Sequence, residues 1–173
     1  MDIQLFGKDT LKIKNKKATL AIDPKSSITK FEADAVLSMD KDFDDSRVNQ
    51  SRVTIDSVGE YEISGLKVSG LKSDIGVMYG LVSENSSALV AKASSLEKIS
   101  ADKIGEYQVA VINVDSDLNQ SIVTAMEPRL VILYGEKAKE GAKSLGKESA
   151  TSTSKVSVSD EKLPEELDVI LLS

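Results

Sequence analysis

The first half of the chain alternates apolar and polar positions in short runs broken by turn residues, a period-two pattern that predicts β-strands. Residues 10–13 and 18–22 alternate on either side of Asn15, Lys16 and Lys17, which predicts a hairpin. Asp23-Pro24 ends its second strand, because proline donates no ladder hydrogen bond. Residues 33–38 form a brief apolar run of the buried-strand kind. Residues 52–56 alternate again, and residues 60–71 predict a hairpin turning at Ser64-Gly65. Residues 75–82 and 88–93 predict two more strands, joined through Glu84-Asn85-Ser86, whose side chains favour turns.

The second half changes period. Ser94 or Ser95 is placed to cap a short helix through Ile104, with Glu97 where the helix dipole favours an anion. Residues 109–114 predict a strongly apolar strand. Asp117 is expected to cap a helix to Met126 that ends ahead of Pro128. Residues 129–134 predict another buried strand, closed by Gly135. Residues 136–147 predict a surface helix burying only Ala138, Ala142 and Leu145. Residues 151–154 are polar and are expected to form a loop; residues 155–159 and 168–172 predict closing strands, separated at Leu163-Pro164. No interior linker or fixed-period repeat interrupts the chain, so residues 1–173 are expected to form one domain. Many strands followed by strand-helix-strand-helix predict an α/β fold, two packed sheets with helices outside.

Composition narrows the chemistry. With 40% hydrophobic and 29% charged residues among 173, the chain has the profile of a soluble globular protein. It contains no histidine and no cysteine. A Ser-His-Asp triad, a cysteine nucleophile, a disulfide, a thiolate zinc site and a His-ligated metal are therefore excluded. General acid–base work at neutral pH would fall to a perturbed carboxylate, lysine or tyrosine. A net charge of −6 and 4% aromatic residues argue against nucleic acid as a partner. The basic run Lys12, Lys14, Lys16, Lys17 reads as the solvated face and turn of the hairpin. No apolar run approaches the roughly 20 residues that span a bilayer, and the first residues lack a basic start and an apolar h-region. No membrane association is expected, and a cytoplasmic location is.

One constellation holds candidate chemistry. Asp40, Asp42, Asp44 and Asp45 crowd one loop, and carboxylate oxygens suit Mg²⁺, Mn²⁺ or Ca²⁺ better than zinc. The match to a calcium loop is poor: Asp45 stands where glycine is wanted, and Ser51 where the bidentate glutamate is wanted. Lys41 lies among the acids and offsets part of their charge. A solvated, metal-free loop and a weak divalent-cation site both remain open.

Four segments in order resemble one family. Leu20-Ala21-Ile22-Asp23-Pro24 is similar to the strand end near the start of metallo-β-lactamase-fold hydrolases, and Ala33-Asp34-Ala35-Val36-Leu37-Ser38 to the strand that delivers their metal motif. Residues 59–68 resemble the glycine-rich hairpin of the small "metal-dependent hydrolase" branch. Residues 127–134 resemble the strand that normally ends in a histidine ligand. The resemblance implies a four-layer αββα sandwich of two mixed β-sheets with flanking helices, trimmed here because little chain separates Asp45 from Arg52. It also implies a His-x-His-x-Asp-His loop holding zinc and an activated water. Aligned on that loop, residues 40–45 carry aspartate at all three histidine positions, and only Asp44 matches. Lys92, with Ala93 and Ser94, stands where an aspartate bridging two metals would follow its strand, and the final histidine falls near Tyr134 or Gly135.

The fold is thus implied, and zinc catalysis is not. The expected function is a non-catalytic metallo-β-lactamase-fold protein with a binding or assembly role, acting as a homo-oligomer or with a protein partner, and with no cofactor beyond a weak Mg²⁺, Mn²⁺ or Ca²⁺ ion. The alternative is a Mg²⁺- or Mn²⁺-dependent hydrolase built on the four aspartates. A third reading is a small-ligand domain that uses the pocket without metal. Lys92 is placed either to pair with Asp40 or Asp44 or simply to face water; Tyr134 is either a polar-tipped core residue or a proton donor to a ligand.

Overall fold

The computed structural model describes residues 1–173. The chain forms strands β1 (Asp2–Phe6), β2 (Thr10–Lys14), β3 (Thr19–Ile22), β4 (Phe31–Glu32), β5 (Ala35–Leu37), β6 (Val48–Asn49) and β7 (Val53–Ile55). It continues through β8 (Gly59–Ile63), β9 (Leu66–Lys72), β10 (Val77–Ser83) and β11 (Ser86–Lys92) to helix α1 (Ala93–Leu96). Strand β12 (Val109–Asn113), helix α2 (Gln120–Ala125), strand β13 (Leu130–Tyr134) and helix α3 (Ala138–Ser144) follow. Strands β14 (Thr151–Thr153), β15 (Lys155–Ser157) and β16 (Asp168–Leu172) close the fold.

Two mixed sheets face each other. The six-stranded sheet runs β15-β1-β2-β3-β5-β7 and the eight-stranded sheet β14-β16-β13-β12-β11-β10-β9-β8. In the first, β3, β5 and β7 are parallel; in the second, β11, β12, β13 and β16 are parallel. Alternation sorts the side chains between layers. Val77, Tyr79 and Leu81, Val90, Val111 and Ile132 point between the sheets toward Leu20, Ile22 and Leu37. Their neighbours Met78, Leu89, Ile112 and Val131 point outward, under the helices. Burial of such side chains stabilises by roughly 1.5–3 kcal/mol each. The helices cover the eight-stranded sheet; the outer face of the other sheet carries a smaller cluster of Ala21, Ile28, Phe31, Ala33, Val36 and Val48. That side is covered by the β4–β6 pair and a 3₁₀ turn at Asp45–Arg47.

Several boundaries differ from expectation, each for a local reason. The N-terminal strand β1 escapes the alternation pattern because only Ile3 of its five residues is buried. The polar run at Thr151–Thr153 is a strand, not a loop: it pairs with β16 at a sheet edge, where neither face needs an apolar residue. The expected helix from Ser94 to Ile104 is only α1 and a 3₁₀ turn at Ala101–Lys103. Ser94 does not cap it; its Oγ donates to Asp115 Oδ2 at 2.5 Å and its N–H to Oδ1 at 3.0 Å. Asn119, not Asp117, caps α2, its Oδ1 accepting from the N–H groups of Ser121 at 3.1 Å and Ile122 at 3.4 Å. Asp117 instead pairs with Lys137 at 3.1 Å. The turn at Ser64-Gly65 stands as expected, with φ of +50° and +83° suited to a two-residue hairpin.

Candidate functional site

The C-terminal ends of the parallel strands of both sheets meet at one end of the sandwich. Strand register places Lys92, Asn113 and Tyr134 side by side as the last residues of β11, β12 and β13. Each has the parity of its strand's inward residues, so a polar row closes the apolar space between the sheets. Opposite them come Asp23, just after β3, and the loop that follows β5.

Asp23 organises this end. Its φ of +45° is left-handed, a conformation aspartate tolerates better than most residues at a cost of roughly 1–2 kcal/mol. Its N–H donates to Leu37 O at 3.0 Å, and its own carbonyl accepts from Thr10 Oγ1 at 3.0 Å. Asp23 Oδ1 accepts from the Met39 N–H at 2.7 Å, which fixes the start of the acidic loop. The residue is 1% exposed, and Oδ2 has no hydrogen-bond partner in the chain. Burial pushes its carboxyl up to about 6, against the Met39 N–H and the positive charge of Lys92. From the facing sheet, Tyr79 Oη donates to the carbonyls of Ser38 and Ile55, each at 2.8 Å, and the Val77 N–H reaches Met39 O at 3.0 Å.

The acidic loop is held by cations and hydroxyls of the chain itself. Asp40 forms an ion pair with the Lys92 ammonium and accepts from the Asp42 N–H at 2.7 Å. Burial works against the Asp40 charge, yet the ammonium and that N–H hold its carboxyl below the usual range. Lys92 is likewise desolvated, but Asp40, Asp23 and Asp115 outweigh this and raise its pKa. Asp42 pairs with Lys25 at 2.7 Å. Asp44 accepts from Ser46 Oγ at 2.6 Å and lies 3.5 Å from the Arg47 guanidinium; chiefly the Ser46 hydroxyl keeps its carboxyl below the ordinary value. Asp45 accepts from Thr54 Oγ1 at 3.3 Å. No three acidic side chains converge as a metal-holding group.

Of the six sequence candidates, the structure brings Asp40 and Lys92 together and sets Tyr134 in the same row. Asp42, Asp44 and Asp45 each turn to a separate partner. Tyr134 is fully buried, and its hydroxyl closes no well-formed hydrogen bond; burial first, and the Asp23 charge second, raise it well above a free phenol, against the neighbouring Asn113 side chain. It lies in the core between the two sheets. Asp23 and Asn113 were not among the candidates. Their signals, an aspartate before proline at an apolar strand's end and a lone asparagine ending a run of four apolar residues, acquire meaning only through register.

The whole sandwich can be compared with solved structures. A candidate Zn-dependent hydrolase of the metallo-β-lactamase superfamily from Thermotoga maritima superposes with a TM-score of 0.76, covering 99% of this chain and 98% of that one at 16% identity. The chain has the metallo-β-lactamase fold. The metallo-β-lactamase fold protein YhfI from Bacillus subtilis matches with a TM-score of 0.60 over 98% of this chain and 95% of that one, at 8% identity. A candidate metal-dependent hydrolase from Veillonella parvula matches with a TM-score of 0.58 over 91% and 99%, at 12% identity. No family model and no curated protein matches the sequence. No helix is long and apolar enough to cross a membrane.

The fold family implies zinc, and the residues at this end do not fit it. Zinc wants imidazole or thiolate donors, and the chain supplies neither. The carboxylates of the acidic loop are already engaged by groups of the chain, with the Lys92 ammonium on Asp40, Lys25 on Asp42, Ser46 on Asp44 and Thr54 on Asp45.

Proposed function

We propose that this chain is a non-catalytic member of the metallo-β-lactamase fold, with a binding or assembly role and no metal chemistry. The observation that carries the reading is the Lys92–Asp40 ion pair at the strand-end site. A lysine there supplies an immobile positive charge where a hydrolase of this fold would need an open coordination position and an activated water. The other acids of the loop support the same reading, since Lys25, Ser46 and Thr54 already satisfy them.

The Mg²⁺- or Mn²⁺-dependent hydrolase has no comparable support. It requires converging carboxylates, and Asp42, Asp44 and Asp45 diverge to separate partners. Calorimetric titration of the protein with Zn²⁺, Mg²⁺, Mn²⁺ and Ca²⁺ tests the proposal. No heat of binding at millimolar metal is expected; stoichiometric binding accompanied by hydrolysis of a phosphoester or lactone would overturn it. The assembly role predicts a stable oligomer or partner complex by light scattering, and a monomer that retains no partner contradicts it.

A further inference from the structure

We propose that the β7 edge of the six-stranded sheet seats a second copy of this chain, the two β7 strands pairing antiparallel about a two-fold axis at Thr54. The inference rests on the assembly role proposed above and deepens it by naming the surface and its occupant.

The two sheets end in four edge strands, β15 and β7 in one and β14 and β8 in the other. In β15, Lys155 already pairs with Asp2 of β1 at 2.8 Å. Strand β14 offers only Thr151, Ser152 and Thr153. Antiparallel pairing of β8 with a copy about Tyr61 would set Glu60 against Glu62, and like charges directly opposite repel. Strand β7 differs. The Ser38 N–H donates to Ile55 O at 2.9 Å, so Ile55 turns its backbone to β5. By alternation Thr54 turns its N–H and carbonyl outward, free to pair. Arg52, Val53, Thr54 and Asp56 are all exposed, and Val53, at 43%, is an apolar side chain that pairing would cover. Charges on an edge usually keep copies apart, but here the two signs are opposite and stand two residues either side of Thr54. Arg47 and Arg129 have acid partners within the chain, whereas Arg52 forms no ion pair, and neither does Asp56. On an extended strand the two lie about 13 Å apart and cannot reach each other. A two-fold axis at Thr54 sets Arg52 opposite Asp56 of the second copy twice, and Val53 opposite its Ile55 twice. It also lets the two Thr54 residues exchange a pair of N–H···O=C bonds.

Sedimentation equilibrium of the wild type, Arg52→Asp, Asp56→Arg and Arg52→Asp/Asp56→Arg tests this. The wild type should show a dimer fraction that rises between about 10 µM and about 1 mM protein. That fraction should fall when NaCl is raised from about 50 mM to about 500 mM, because exposed ion pairs are screened. Each single reversal sets like charges opposite and should lower the association constant about tenfold; the double reversal should restore it. The two single variants, mixed, should form a heterodimer, because every facing pair is then of opposite sign. A wild type that stays monomeric, a dimer indifferent to the single reversals, or a mixture that does not associate overturns the inference. A metal-free chain that assembles through another surface sinks this inference alone. Stoichiometric metal with hydrolysis sinks the functional reading, and the charge reversals still decide the edge.

Discussion

Asp23→Asn isolates the electrostatic cost of the strand-end site. In the folded protein Asp23 titrates near 6, against 3.8 for an ordinary aspartate. Between those values the unfolded chain has released a proton that the folded protein still holds. Stability therefore falls as pH rises from about 4 to about 6, and the deficit persists at higher pH. The gap between 3.8 and about 6 corresponds to about 3 kcal/mol at 1.36 kcal/mol per pH unit. Asparagine keeps the Oδ1 acceptor for Met39 and cannot ionise, so its advantage over the wild type should grow by about 3 kcal/mol between pH 3 and pH 8. For a chain of this size that is roughly 6–12 °C in Tm. The assay is urea or thermal denaturation of both proteins at one-unit pH steps. Asp2 and Asp44, held below their ordinary values, favour folding as pH rises, but they do so in both proteins and drop out of the difference. A difference that does not change with pH, or an Asp23→Asn protein that falls behind as pH rises, would refute the argument.

Three further outcomes follow from single contacts. Tyr134→Phe removes a buried hydroxyl without a partner and should stabilise by about 1 kcal/mol in urea denaturation; a loss of about 2 kcal/mol would mean that the hydroxyl is satisfied. Gly76→Ala places a methyl group 2.0 Å from the Met39 carbonyl oxygen, so it should cost about 2 kcal/mol and speed amide exchange at Val77, whose N–H bonds that same oxygen; an unchanged Tm contradicts this. Asn119→Ala removes the cap of α2 and should cost about 1 kcal/mol by thermal denaturation, whereas Asp117→Ala should cost much less.

The sandwich was legible because its two cores are built by alternation. A run such as Val109 to Asn113 announces burial on both faces, and the turns at Asn15 and Ser64-Gly65 fix the β2–β3 and β8–β9 hairpins. What escaped lies where alternation says nothing: the half-exposed β1, and the polar edge strand β14, which pairs with residues 19 positions further along the chain. The acidic loop was visible as a cluster of like charges, and Lys92 was visible as a partner for it. Asp23 and Asn113 were not, because a site formed at strand ends depends on which residues share a rung. That follows from pairing register across two sheets, which no local window contains. Asp42, Asp44 and Asp45 show the converse. Spacing made them look like one ligand set, and the backbone turns each toward a different neighbour.

Elemental analysis of the protein, purified after growth in zinc-supplemented medium and gel filtration without chelator, tests the central claim most directly. The account predicts zinc, manganese and magnesium well below one ion per chain. One or two tightly held ions per chain would contradict it.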